Sequence, residues 1–140
     1  MNYTAYVRPV HYYETDQMAI VHHSNYIRWF EEARLDMMTQ MGISYKDLED
    51  RGILIPVVDV YCKYKVSARY GDTVRIVPVM SEYTGVKLCF TYEVRNDKTG
   101  ELLATGSSTH CFVNTQRKPV SLKRCEPQLH ELFLQLSQAE

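Results

Sequence analysis

The hydrophobic pattern along the 140 residues changes period once, and the two halves predict different elements. From Tyr26 to Met41 the apolar side chains recur at helical spacing. Tyr26, Trp29, Phe30, Ala33, Met37 and Met41 share one face, and Ile27, Leu35 and Met38 form a second apolar arc. Arg28, Glu32, Asp36 and Thr39 make a narrow wet stripe, in which Arg28 and Glu32 are spaced to pair. A helix apolar over most of its circumference is buried on several sides, so the pattern predicts a central helix with a sheet wrapped around it. Ser24 and Asn25 are good N-caps, and Gly42 is a natural stop. A short helix is expected over residues 44–51, opened by Ser44 and Asp47 and closed by Gly52.

Beyond Gly52 the period becomes two. Val58, Val60, Cys62, Tyr64 and Val66 alternate with Asp59, Tyr61, Lys63 and Lys65. A turn at Arg69–Asp72 leads into a strand over 73–82. Val86, Leu88, Phe90, Tyr92 and Val94 then alternate with Lys87, Cys89, Thr91, Glu93 and Arg95. The segment NDKTG, Asn96–Gly100, predicts a turn, and a last strand runs from about Leu102 to Asn114. That strand places Ala104, Gly106 and Ser108 on one face, where small residues admit another backbone; the central helix is the expected neighbour. Residues 3–13 read as a first strand, which Pro9 pushes toward an edge or a bulge. A C-terminal helix opens at Pro127 and carries Leu129, Leu132, Phe133 and Leu136. The order strand, helix, short helix, antiparallel meander, helix predicts one α+β domain over residues 1–140.

Composition narrows the function classes. The net charge is −1 and the basic residues are scattered, so no nucleic-acid footprint is present. No stretch is apolar enough to cross a membrane, and the N-terminus lacks a signal-peptide pattern, which leads to the expectation of a cytoplasmic protein. Cys62, Cys89, Cys111 and Cys125 form no CxxC pair, and three fall in predicted strands; buried thiols in a reducing compartment are expected. The HHSN segment lacks metal-ligand spacing, so neither a metal nor a cofactor is expected.

The candidate chemistry lies just before the central helix. Asp16 stands in a loop seven residues ahead of His23, at the helix mouth. A carboxylate facing the free N–H groups of a helix N-terminus suits acyl transfer: the acid attacks or activates water, and the amides hold the oxyanion. Read from the local sequence alone, Asp16 suits an Asx-turn better than a catalytic role.

The segment YETDQMAIVHHSNYIRWFEEAR, Tyr13 to Arg34, resembles the signature of the 4-hydroxybenzoyl-CoA thioesterase family. The matching residues are Tyr13, Thr15-Asp16, Ala19, Ile20-Val21, Asn25-Tyr26 and Glu31-Glu32-Ala33-Arg34. A second segment, YKVSARYGDTV from Tyr64 to Val74, resembles a strand–turn–strand piece of the same family, and the likeness spans roughly residues 5–115. It departs at Met18-Ala19, where the family often has a small residue and then Gly.

This resemblance implies a hotdog fold, hydrolysis of an acyl-CoA substrate, and homodimers or homotetramers with the site between protomers. It implies Asp16 as nucleophile or general base and the His23 backbone N–H as the group polarising the thioester carbonyl. Met18, Tyr26 and Trp29 would line the acyl channel. Arg69, with Lys63, Lys65, Lys87, Arg117 and Lys118, would be available to CoA phosphates. Glu31, set among Ile27, Leu35 and Met38, is a reserve acid, or else a partner for Arg34 or a neighbouring subunit. Two other functions stay open: a hotdog hydratase or dehydratase, and a non-catalytic acyl-CoA binding module.

Overall fold

The computed structural model describes residues 3–138. Five antiparallel strands, β1 (Tyr6–Pro9), β2 (Val57–Tyr64), β3 (Thr73–Tyr83), β4 (Lys87–Asn96) and β5 (Leu102–Cys111), form one open sheet in the order β1-β3-β4-β5-β2. The helices are α1 (Ser24–Gln40), α2 (Tyr45–Asp50), α3 (Leu122–Cys125) and α4 (Pro127–Gln138). None among the described residues is long and apolar enough to cross a membrane.

Alternation in β4 is followed residue by residue: Leu88, Phe90, Tyr92 and Val94 are buried and face the helix layer. On α1, Tyr26, Trp29, Phe30, Ala33, Met37 and Met38 are buried. Phe30 stacks on Tyr92 with centroids 4.3 Å apart and planes 6° apart. Gly106 of β5 makes this contact possible, because a Cβ there would stand 2.4 Å from the Phe30 ring and 2.7 Å from the Tyr61 carbonyl. The small-residue face of the last strand is therefore the seat of the central helix. α4 closes a second aromatic cluster, in which Phe133 lies 5.3 Å from Tyr83 and 5.7 Å from Phe112.

Several expectations shift. The first strand ends at Pro9, which has no N–H for the ladder, and a 3₁₀ turn over Tyr12–Glu14 replaces its second half. The last strand stops at Cys111, followed only by an isolated bridge at Val113. Helix α1 starts one residue early, with His23 at its N-cap; Ser24 and Asn25 lie in the first turn because the His22 ring caps it, Nδ1 accepting from Ser24 N at 3.2 Å. At the far end Gly42 (φ +84°) closes the helix, with Ile43 N donating to Met38 O at 2.8 Å. Ser44 caps α2 as expected. The thiols in β2, β4 and β5 are half-buried and Cys125 is exposed; all four are free. Arg28 does not pair with Glu32, whose carboxylate instead accepts from the Tyr6 hydroxyl at 2.9 Å.

The two margins of the sheet differ. β1 is four residues long, and just before it the Gln40 amide engages the Thr4 backbone twice, accepting from its N–H at 2.8 Å and donating to its carbonyl at 3.0 Å, and also accepts from the Thr4 hydroxyl at 3.2 Å. β2 is exposed on both faces, Val58 by 60% and Tyr61 by 59%.

Candidate active site

The loop carrying Asp16 is closed on itself. Thr15 and Val21 form an antiparallel bridge, Asp16 N donates to Ile20 O at 2.8 Å, and Ala19 N donates to Asp16 O at 3.0 Å. Asp16 Oδ1 accepts from Met18 N at 2.8 Å, which makes the Asx-turn. Ala19 adopts φ +64°, the left-handed conformation that glycine takes most easily, so the departure at Met18-Ala19 keeps the turn. The strain of that alanine is about 1–2 kcal/mol.

Beneath the loop lies an ionic node. Glu14, buried, accepts from Arg8 Nη1 at 2.7 Å, Arg8 Nη2 at 3.0 Å, Trp29 Nε1 at 2.9 Å and His11 N at 2.8 Å. Its carbonyl accepts from His22 N at 2.8 Å and from Asn25 Nδ2 at 2.9 Å. The Arg8 guanidinium lies 5.2 Å from the centre of the Trp29 ring. Every N–H aimed at the carboxylate stabilises its charged form, and the node ties β1, the loop and α1 into one body.

Three pieces meet above it in a cleft of about 190 Å³: the Asp16 loop, the mouth of α1, and the end of β2. Asp16, Met18, His23 and Tyr26 line one side; Tyr64, Lys65 and Ser67 line the other. The Tyr64 hydroxyl donates to His23 O at 2.8 Å, and Ala68 N donates to the Tyr26 hydroxyl at 3.0 Å. Burial keeps the phenols of Tyr26 and Tyr64 above their ordinary pKa, so both stay protonated. Among the described residues Asp16 Oδ2 has no donor and the His23 N–H has no acceptor. Asp16, with one carboxylate oxygen unengaged, and His23, with its N–H unengaged, thus both line one cavity.

Of the expected site residues, Asp16, His23, Met18 and Tyr26 come together. Trp29 does not line the cleft: it is 0% exposed, and its indole N–H is spent on Glu14. Arg69 lies on the exposed 69–72 turn, its N–H held by Asp72 Oδ2 at 3.0 Å, outside the cleft. Lys87 pairs with Glu82 at 3.1 Å on the surface. Glu31 is exposed, makes no ion pair with Arg34, and borders a separate cavity. Lys65, one of the cations expected for CoA phosphates, lines the cleft, whereas Tyr64 and the Glu14 node were not singled out from sequence. Tyr64 and Lys65 open the second matched segment, which was a usable signal; Glu14 has none, because Arg8 lies across Pro9 and Trp29 fifteen residues on.

A model of the thioesterase-like superfamily matches residues 10–131. A DHNA-CoA thioesterase from Staphylococcus aureus superposes with a TM-score of 0.90 at 36% identity, covering 94% of this chain and 89% of that one. YneP of Bacillus subtilis, provisionally named an acyl-CoA thioesterase, is 36% identical over 125 residues, 89% of this chain and 90% of its own. The acyl-CoA thioester hydrolase YbgC of Escherichia coli is 26% identical over 126 residues, 89% of this chain and 94% of its own. The likeness reaches past residue 115, where the motifs had ended, and the superposed sheet and central helix are those of the hotdog fold. The chain belongs to the thioesterase-like superfamily and is a hotdog-fold thioesterase.

Proposed function

We propose that the chain hydrolyses acyl-CoA thioesters to the free acid and CoA, with Asp16 as general base or nucleophile and the His23 N–H as oxyanion donor. The observation that carries this reading is that Asp16 and His23, each with an unengaged polar group, line the same cavity. As base, Asp16 takes a proton from water while the water oxygen adds to the carbonyl carbon. The C–S bond then breaks, and the proton returns to the leaving thiolate. As nucleophile, an Asp16 oxygen adds to the carbonyl, the thiolate leaves, and water cleaves the resulting mixed anhydride. Both routes place negative charge on the carbonyl oxygen, where the amide donates. The His23 imidazole, stacked on His22 at 4.2 Å and edge-on to Tyr64 at 6.3 Å, fixes the peptide rather than reacting. Lys65 at the cleft and Arg69 on the adjoining turn offer cations to the CoA phosphates.

The working unit in this reading is at least a dimer, formed by antiparallel pairing along β2. The exposed Val57, Val58, Val60 and Tyr61 support it, since a long apolar strand margin facing water is a liability unless covered.

Asp16→Asn is expected to lower kcat for thiol release by at least about a hundred-fold while circular dichroism and the melting temperature stay unchanged. Near-full activity in that variant sinks the mechanism. Saturable acyl-CoA binding without any thiol release by the natural protein would identify a binding module instead.

A further inference from the structure

Three ionised side chains among the described residues are buried: Arg8, Glu14 and Arg34. Arg8 and Glu14 neutralise each other. Arg34, 6% exposed, has no carboxylate within ion-pair distance. Its one hydrogen bond runs from Nη1 to the Tyr92 hydroxyl at 2.9 Å. Nε and Nη2 therefore have no protein acceptor. They are not sealed in, because among the described residues the only sealed side-chain polar atom lacking a partner is His110 Nδ1. Arg34 lines a second cavity of about 130 Å³ between α1 and β2, whose wall includes Glu31, Phe30, Ser108 and, from the β2 margin proposed for subunit pairing, Val57 and Val60.

A buried guanidinium without a counter-charge is costly, and natural chains rarely keep one unless something supplies the anion. Here the position is held firmly. Phe30 stacks on Tyr92, and the Tyr92 hydroxyl is 2.6 Å from Ser108 Oγ, so the group holding Arg34 is itself locked. Arg28, Glu31 and Arg34 together give the cavity wall a net charge of +1, and neither arginine forms an ion pair with Glu31. The rest of the wall is apolar apart from the Ser108 hydroxyl. An apolar chamber with one fixed guanidinium suits a hydrocarbon body ending in a carboxylate; the guanidinium edge left free by Tyr92 matches that group in two parallel bonds. A polyphosphate needs more cations and more room.

Resting on the hydrolase reading, we propose that this cavity is a specificity subsite in which Arg34 receives a carboxylate borne by the far end of the acyl group. The preferred substrates are then CoA thioesters of dicarboxylic acids. The subsite shares α1 and β2 with the Asp16 cleft, and Arg34 lies eleven residues beyond His23, about 16 Å along a helix axis. The spacer between thioester and carboxylate is the variable to scan.

Matched thioesters decide it: adipoyl-, suberoyl- and sebacoyl-CoA against hexanoyl-, octanoyl- and decanoyl-CoA, and 4-carboxybenzoyl-CoA against benzoyl-CoA. In the natural protein at least one acid-bearing member is expected to exceed its neutral counterpart by about ten- to a hundred-fold in kcat/KM. Arg34→Gln is expected to erase that ratio, and Arg34→Lys to keep part of it. The ratio in the natural protein stands even if a variant folds poorly. Neutral members hydrolysed as well as their acid counterparts overturn the subsite. So does an Arg34→Gln protein that sediments as a smaller species with the preference intact, since the charge then serves a subunit contact. If no thioester of either series is hydrolysed, the hydrolase reading fails, and calorimetry with free suberate and terephthalate tests the subsite alone. Saturable binding lost in Arg34→Gln supports it, and no binding to the natural protein overturns it.

Discussion

His110 ends a buried chain of hydrogen bonds. Arg34 Nη1 donates to the Tyr92 hydroxyl at 2.9 Å, that hydroxyl is 2.6 Å from Ser108 Oγ, and Ser108 Oγ is 2.8 Å from His110 Nε2. His110 Nδ1 is buried without a partner among the described residues. Burial, reinforced by Arg34 and opposed weakly by Asp59, lowers the His110 pKa to about 4 from 6.5. Between these values the unfolded chain binds a proton that the folded chain refuses. The stabilisation is therefore complete above pH 6.5 and is lost as pH falls toward 4, an effect on the order of 3 kcal/mol. Urea titrations across this window are expected to show the decline, and His110→Gln to remove that part of the slope; an unchanged slope in the variant refutes the assignment. Such chains are hard to read from sequence because their members lie far apart in it. Asp16 and His23 were legible because their neighbours in sequence are also their neighbours in space. Glu14, Arg34 and His110 matter through partners on other elements.

Among the elements, the contact between α1 and β5 rests on one missing side chain. A methyl group at position 106 would overlap the Phe30 ring and press on the Tyr61 carbonyl, and neither yields easily because Phe30 is stacked on Tyr92. Gly106→Ala is expected to destabilise the fold by about 1–3 kcal/mol, read as a lower urea midpoint with unchanged m-value. A variant as stable as the parent would mean that the helix can rise off the sheet. Periodicity exposed most of this architecture: β4 follows its alternation, and the small face of β5 pointed to the helix. It failed at the margins. β1 was read too long because Pro9 was taken to mark an edge or a bulge, whereas the strand ends there and the chain turns at Tyr12–Glu14, where Glu14 is held by Arg8 and Trp29. The α1 start was misplaced because the cap comes from the ring of His22, a residue outside the usual capping set.

At the scale of the whole molecule the sheet has unequal margins, and the proposed pairing of subunits belongs to one of them. The alternation in β2 promised one buried face, yet Val58, Val60 and Tyr64 are exposed; a pattern states that a face is to be covered but not by which chain. Sedimentation is expected to show the natural protein at least dimeric and the Val58→Lys, Tyr61→Lys double variant monomeric, with thiol release lowered alongside. A dimer that persists places the subunit contact elsewhere.

The opposite margin has been finished off chemically. Pro9 removes one donor, and the amide of Gln40 imitates a neighbouring strand by engaging both the N–H and the carbonyl of Thr4. A chain with two open margins would add copies without limit and grow into a fibre. In the proposed pairing, a chain with one open margin spends that surface on its partner. The Gln40 amide, remote from the cleft, then closes backbone groups at Thr4 that a further copy would otherwise engage.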